Sequence, residues 1–111
     1  MGELASSSQS PARLVASIMT IGVLQLELSI GDAMSLKDKR RVVKSLKDRI
    51  AHRHNVSIAE VGALDLHRTA ILGVAMVGND NRYVEGALSK LVDFVRAARG
   101  VDLVDYQIEL L

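Results

Sequence analysis

Residues 20–52, TIGVLQLELSIGDAMSLKDKRRVVKSLKDRIAH, decide the fold class because they join a patterned strand to a patterned helix. Apolar and polar residues alternate over residues 20–30, which predicts a strand with one buried face. Residues 31–33 break this alternation. From about residue 36 to residue 52 the apolar positions recur at helical spacing, which predicts a helix with one apolar stripe.

The rest of the chain adds two strands, a second helix and a last strand. Residues 55–61 and 69–78 predict two strands that pair as a hairpin. Residues 79–81 supply N-cap candidates for a second helix, and Gly100 is predicted to end it as a C′ glycine. The last stretch alternates, with Val104 expected on the same face as Tyr106, Ile108 and Leu110. The order β-α-β-β-α-β predicts an α+β fold, the ferredoxin-like plait, whose four-stranded and mostly antiparallel sheet carries both helices on one face.

The length of 111 residues predicts one domain. Residues 1–18 are Ser-rich, hold the only proline and predict a flexible N-terminal leader, which leaves residues 19–111 as the domain. The charge-free stretch 14–26 is too short to cross a bilayer and lacks the features of a signal peptide, so no membrane partner is expected. The chain has no cysteine, which excludes disulfides and thiolate chemistry and favours a cytoplasmic location.

Charge is distributed unevenly along the chain. The net charge is only +1, but residues 37–54 hold eight Lys and Arg against two Asp, so this segment carries +6 and the remainder −5. Lys39 falls nearer the apolar stripe than the other cations and is expected to snorkel. Several cations lie in the first two turns of the predicted helix, where the helix dipole disfavours positive charge. This placement indicates an anion-binding surface, and a charged face that is merely solvated is the alternative.

The shortage of aromatic residues narrows the mode of binding. RNA-recognition motifs share the predicted plait but stack bases on aromatic residues of their central strands. The predicted strand at 69–78 has no aromatic residue. Any nucleic-acid contact is therefore expected to run from the first helix to backbone phosphates, with little sequence preference.

Residues 35–46, SLKDKRRVVKSL, resemble the YlxP-like family, a bacterial family of unknown function. Residues 21–24, 55–61 and 72–77 support the resemblance, which spans about residues 19–111. The resemblance implies a ferredoxin-like fold and a cytoplasmic bacterial protein, often encoded beside translation-initiation and ribosome-maturation genes. It implies no established activity and no agreed catalytic residues.

These observations predict a non-enzymatic protein associated with RNA or the ribosome, whose partner is ribosomal RNA or a ribosomal particle. Ser35 is expected to cap the first helix or to contact phosphate. The residues expected to bind nucleic acid are the basic residues of the first helix that share its outward side: Lys37, Arg40, Arg41, Lys44 and Lys47.

Two other classes of function stay open. In the first, the same helix docks an acidic protein partner, and the open sheet face makes a homodimer because the strand at 69–78 is apolar on both sides. The remote alternative is a small-molecule enzyme, although we find no P-loop or GxGxxG motif, no catalytic residue and no candidate substrate. The three histidines, His52, His54 and His67, lack carboxylates at ligand spacing, so no metal or other cofactor is expected, and the pair His52 and His54 is predicted to be solvated.

Overall fold

The computed structural model describes residues 18–111, whose strands and helices follow the predicted order. All neighbouring strands of the sheet, which has the order β2-β3-β1-β4, are antiparallel. This confirms the predicted α+β, ferredoxin-like arrangement. The predicted leader lies outside the described residues, apart from Ile18. The elements are β1 (Thr20–Ser29), α1 (Leu36–Arg53), β2 (Ser57–Gly62), β3 (Thr69–Gly78), α2 (Asn81–Arg96) and β4 (Asp102–Leu110).

The core lies between the sheet and the two helices. Alternate residues of β1 and β3 are buried against the helices, as the period of two requires. On the helices the buried positions recur every three or four residues. Complete burial of one such Leu or Val side chain contributes about 1.5–3 kcal/mol. The fully buried apolar residues include Leu26, Leu28 and Leu72 of the sheet, Leu46 and Ile50 of α1, and Leu88 and Leu91 of α2.

Two glycines let the start of α2 approach the sheet closely. A Cβ atom on Gly22 of β1 would lie 2.6 Å from Cγ1 of Val84, and one on Gly78 of β3 would lie 2.6 Å from Cγ2 of the same residue. Both distances are far shorter than a van der Waals contact between carbon atoms. Val84, which is fully buried, therefore fits only where the two strands lack side chains.

Two local predictions were wrong. The pairing of β1 with β4 shifts between Glu27 and Leu28, so Val104 has no partner in the register and is 58% exposed instead of facing the core. The second helix ends at Arg96, four residues before Gly100, and is followed by Ala97 in a right-handed conformation. Gly100 adopts a φ of 86°, which serves the turn into β4 and not the end of the helix. Within residues 18–111 no helix combines the length and apolar composition needed to cross a bilayer.

We predict that Gly22→Ala lowers the free energy of unfolding by about 1–3 kcal/mol, because the added methyl group would clash with the side chain of Val84. Gly86→Ala is the matched control. Its added Cβ meets no atom within 4 Å on the exposed side of α2, so the variant should gain about 0.4–1 kcal/mol. Denaturant unfolding measures both changes. A Gly22→Ala variant as stable as the wild type would contradict the close approach of α2 to the sheet.

Candidate nucleic-acid interface

The N-terminus of α1 is capped by its own side chains. Oγ of Ser35 accepts a hydrogen bond from the backbone N–H of Asp38 at 3.1 Å, which confirms Ser35 as the helix cap. Oδ2 of Asp38 in turn accepts from the backbone N–H of Met34 at 2.9 Å. Ser35 is exposed, and its contact with phosphate stays a prediction. The cap fixes the first turn of α1, from which the basic residues project.

The five predicted cations lie on one side of α1. At 100° per residue they fall within an arc of about 120°, and they extend about 15 Å along the helix axis. Lys47 is half-buried and the other four are exposed. We refer to this set as the basic strip: Lys37, Arg40, Arg41, Lys44 and Lys47.

Two members of the basic strip make ion pairs along the helix. Nζ of Lys44 lies 2.9 Å from Oδ2 of Asp48, and Nη2 of Arg41 lies 3.5 Å from Oδ1 of Asp38. Lys44 and Arg41 have side chains 75% and 70% exposed, and surface pairs of this kind contribute only about 0–1 kcal/mol. Both cations can therefore exchange their partner for another anion at little cost in free energy.

The other members are freer to bind. In the part of the chain that the structure describes, Lys37, Arg40 and Lys47 have no carboxylate within 4.0 Å. Arg40, Lys44 and Lys47 line a hollow of about 390 Å³ between α1 and β2, whose lining also includes Glu60. The structure thus brings three of the five predicted residues around one concave surface.

Lys39 does not snorkel, contrary to the prediction, because it has partners inside the protein. The residue is 1% exposed, and its Nζ lies 2.8 Å from Oε2 of Glu60. Nζ also donates hydrogen bonds to the carbonyl oxygens of Ala63 at 2.9 Å and Thr69 at 3.1 Å. Oε2 of Glu60 makes an ionic contact with Lys39 but accepts no hydrogen bond within the described residues. Lys39 is therefore absent from the positive surface.

A cluster of planar side chains, made by Arg53, His54 and Phe94, lies where the end of α1 meets α2. The guanidinium carbon of Arg53 lies over the ring of Phe94, 4.9 Å from its centroid. The ring of His54 meets the same phenyl ring edge-on, with 6.4 Å between centroids. Burial, and then the charge of Arg53, lower the pKa of His54 below its usual value. His54 is therefore not the solvated histidine that was predicted, whereas His52 is exposed.

Sequence periodicity does not indicate this group, because Arg53 and His54 lie at the end of α1 whereas Phe94 lies in α2, on the far side of a strand hairpin in the chain. One sequence signal was available, since Phe94 is the only phenylalanine and lies beside the apolar stripe of α2. Among residues 18–111 no three His, Cys, Asp or Glu side chains are placed to hold a metal ion.

The face of the sheet opposite the helices is uncovered in the described part of the chain. Ile71, Ala75 and Val77 alternate with the buried residues of β3, as predicted, and Val77 is 62% exposed. A shallow hollow of about 350 Å³ on this face is lined by small residues such as Gly73 and Ala59, with polar side chains towards β4. This face has no basic strip, so the two sides of the molecule differ in chemistry.

Comparison with known proteins identifies a family and a relative. The family model described as "Protein of unknown function (DUF503)" matches residues 21–108. A relative from Bacillus subtilis (strain 168), "Uncharacterized protein YlxP", is 36% identical over 75 residues, which are 68% of this chain and 82% of the relative.

We predict that Lys39→Met lowers the free energy of unfolding by about 3 kcal/mol, because it leaves the carboxylate of Glu60, which is only 16% exposed, without the ammonium group that pairs with it. Adding Glu60→Gln should restore part of this loss, since the uncompensated charge is then removed. Lys37→Met, on the exposed side of the same helix, should change stability by less than about 0.5 kcal/mol. Denaturant unfolding of the wild type and the three variants tests this prediction, and equal effects of Lys37→Met and Lys39→Met would contradict it.

Proposed function

This chain belongs to the DUF503 family of proteins of unknown function, and from that premise we propose that it is a non-enzymatic, cytoplasmic protein that binds RNA. The partner is ribosomal RNA or a ribosomal particle, and the contact is made to backbone phosphates. The observation that carries the proposal is the basic strip, whose five cations share one side of α1. A cluster of Lys and Arg on one helix face is the electrostatic footprint of nucleic-acid binding.

The energetics of α1 support this assignment. Lys37, Arg40 and Arg41 lie in the first two turns, where the helix dipole makes a cation unfavourable by about 0.3–1 kcal/mol near the terminus. Lys37 and Arg41 are also a like-charge pair four residues apart, which costs a few tenths of a kcal/mol. Two aspartates offset these terms only in part. Such an arrangement is poor for helix stability and well suited to a polyanion.

Contact with phosphates fits this surface better than readout of bases on the sheet. Base readout by this fold uses aromatic residues on the open face of the central strands. Neither β1 nor β3 carries one. Tyr83 belongs to α2, and the ring of Tyr106 lies under Arg96 of the same helix. The proposed binding is therefore sensitive to salt and nearly independent of base sequence.

The proposal predicts that Arg41→Glu with Lys44→Glu abolishes association with ribosomal particles. Wild-type protein should sediment with the particles in a sucrose gradient of lysate at low salt and be released at high salt, because phosphate contacts weaken as salt rises. The double variant should stay at the top of the gradient. Lys90→Glu with Arg99→Glu is the matched control: it changes the net charge equally at two exposed residues outside the basic strip and should sediment as the wild type does.

Three outcomes decide the proposal. Equal sedimentation of the wild type and the double variant contradicts the role of the basic strip. Wild-type protein that stays at the top at low salt contradicts association with the particle. Co-sedimentation that survives complete nuclease digestion assigns the basic strip to an acidic protein partner.

With purified RNA the double variant should also reduce the slope of log affinity against log salt by about 2, one for each phosphate contact removed.

A second candidate function is self-association through the open sheet face. The exposed Val77 and Val61 and the hollow beside Gly73 favour it, because an apolar face of this kind is stabilised when a second copy covers it. In this form the protein is an interaction module, with the basic strip left outward for a partner.

We predict that sedimentation equilibrium detects a homodimer and that Val77→Glu converts it to a monomer, because a charge placed on the covered face would be desolvated. Leu66→Glu is the matched control, since Leu66 is 55% exposed but belongs to the segment that connects β2 to β3, outside the sheet. A monomeric wild-type protein, or a dimer unaffected by Val77→Glu, would overturn this second candidate.

A further inference from the structure

A second cationic hollow lies on the opposite side of α1 from β2, at the seam with α2. Its volume is about 470 Å³. We refer to it as the aromatic seam, which is lined by Asp48, Arg49, His52, Arg53 and Phe94. Asp48 also lines the hollow beside the basic strip, so the two concave surfaces share an edge. An RNA strand that follows the basic strip would therefore reach the aromatic seam without leaving the protein surface.

An aromatic ring gives the aromatic seam a chemistry that the basic strip lacks. The guanidinium of Arg53 lies over the half-buried ring of Phe94, and His54 packs against the edge of the same ring. Aromatic rings and guanidinium planes are the groups on which proteins stack unpaired bases. Arg49, whose Nε donates to the carbonyl oxygen of Ser45 at 3.4 Å, brings a second guanidinium to the hollow.

The charge of the aromatic seam also suits a nucleotide. Arg49 and Arg53 give the hollow two positive charges against the single carboxylate of Asp48, so its charge stays positive even when Lys44 leaves Asp48 to bind phosphate. The local excess is therefore positive, which favours a phosphate beside the planar groups. We propose that the aromatic seam binds one unpaired nucleobase of RNA between the ring of Phe94 and the guanidinium of Arg53, whose exposed side chain moves off the ring to cover the base, with the adjoining phosphate on Arg49. This inference rests on the proposed function and names the feature of RNA that the protein prefers.

The chain provides a matched control for the stacking site. Arg96 lies over the ring of Tyr106, with 5.7 Å from the guanidinium carbon to the ring centroid. This is the same pair of chemical groups, but it lies against β4, the edge strand away from α1. If an aromatic ring paired with arginine acted only in packing, the two pairs would respond alike to loss of the ring.

The test compares two RNA probes of equal length, a hairpin with an unpaired loop and a blunt duplex. Phe94→Leu should weaken binding of the hairpin about fivefold or more and leave binding of the duplex unchanged, because only the hairpin offers a base to stack. Tyr106→Leu should change neither affinity. Arg41→Glu with Lys44→Glu should weaken both, because phosphates are common to both probes.

A second variant tests stacking without removing the ring. The chain has no tryptophan, so Phe94→Trp introduces a single tryptophan into the aromatic seam. Its affinity for the hairpin should be retained, and its fluorescence should be quenched by the hairpin and not by the duplex. Thermal unfolding of each variant accompanies the binding measurements.

The outcomes separate this inference from the proposed function. If Phe94→Leu leaves both affinities unchanged while the double charge variant weakens both, the stacking site is wrong and the proposed function stands. The inference is also overturned if Phe94→Leu weakens binding of both probes equally, or if the hairpin does not quench the fluorescence of the introduced tryptophan. If the wild type binds neither probe, the proposed function is contradicted, and the inference that rests on it falls with it.

Discussion

The position of α1 depends on the contacts that the buried ammonium group of Lys39 makes. This group joins α1 to the carboxylate of Glu60 on β2 and to the carbonyl oxygens of Ala63 and Thr69. Ala63 has a φ of 56°, a left-handed conformation that costs a residue other than glycine about 1–2 kcal/mol. The bond from Lys39 offsets part of that cost. One lysine thus sets both the path of the connection between β2 and β3 and the orientation of α1 above it.

Because α1 is fixed in this way, its two flanks face different neighbours. One flank, with Arg40 and Lys47, meets β2 and forms a hollow with cationic sides. The other, with Arg49 and Arg53, meets α2 and gains the ring of Phe94. A single helix therefore presents a surface for phosphates and, beside it, a surface that also offers an aromatic ring. The proposed binding of RNA and the proposed stacking site follow from these two flanks.

The sheet separates this charged side from an apolar one. Gly22 and Gly78 bring α2 close to β1 and β3, so the helix layer covers one face of the central strands. The opposite face keeps exposed aliphatic residues such as Val77. A protein with one basic and one apolar side can self-associate through the second without covering the first. The two candidate functions are thus compatible in one molecule.

The sequence by itself determined the fold class, the cap at Ser35 and the side of α1 on which the basic strip lies. These features depend on periodicity and short-range spacing, which are local in the chain. Only the tertiary structure decided the burial of Lys39, the exposure of Val104 and the contact of Arg53 with Phe94. Each of these depends on partners distant in sequence or on a shift in strand register, and periodicity carries no information about either.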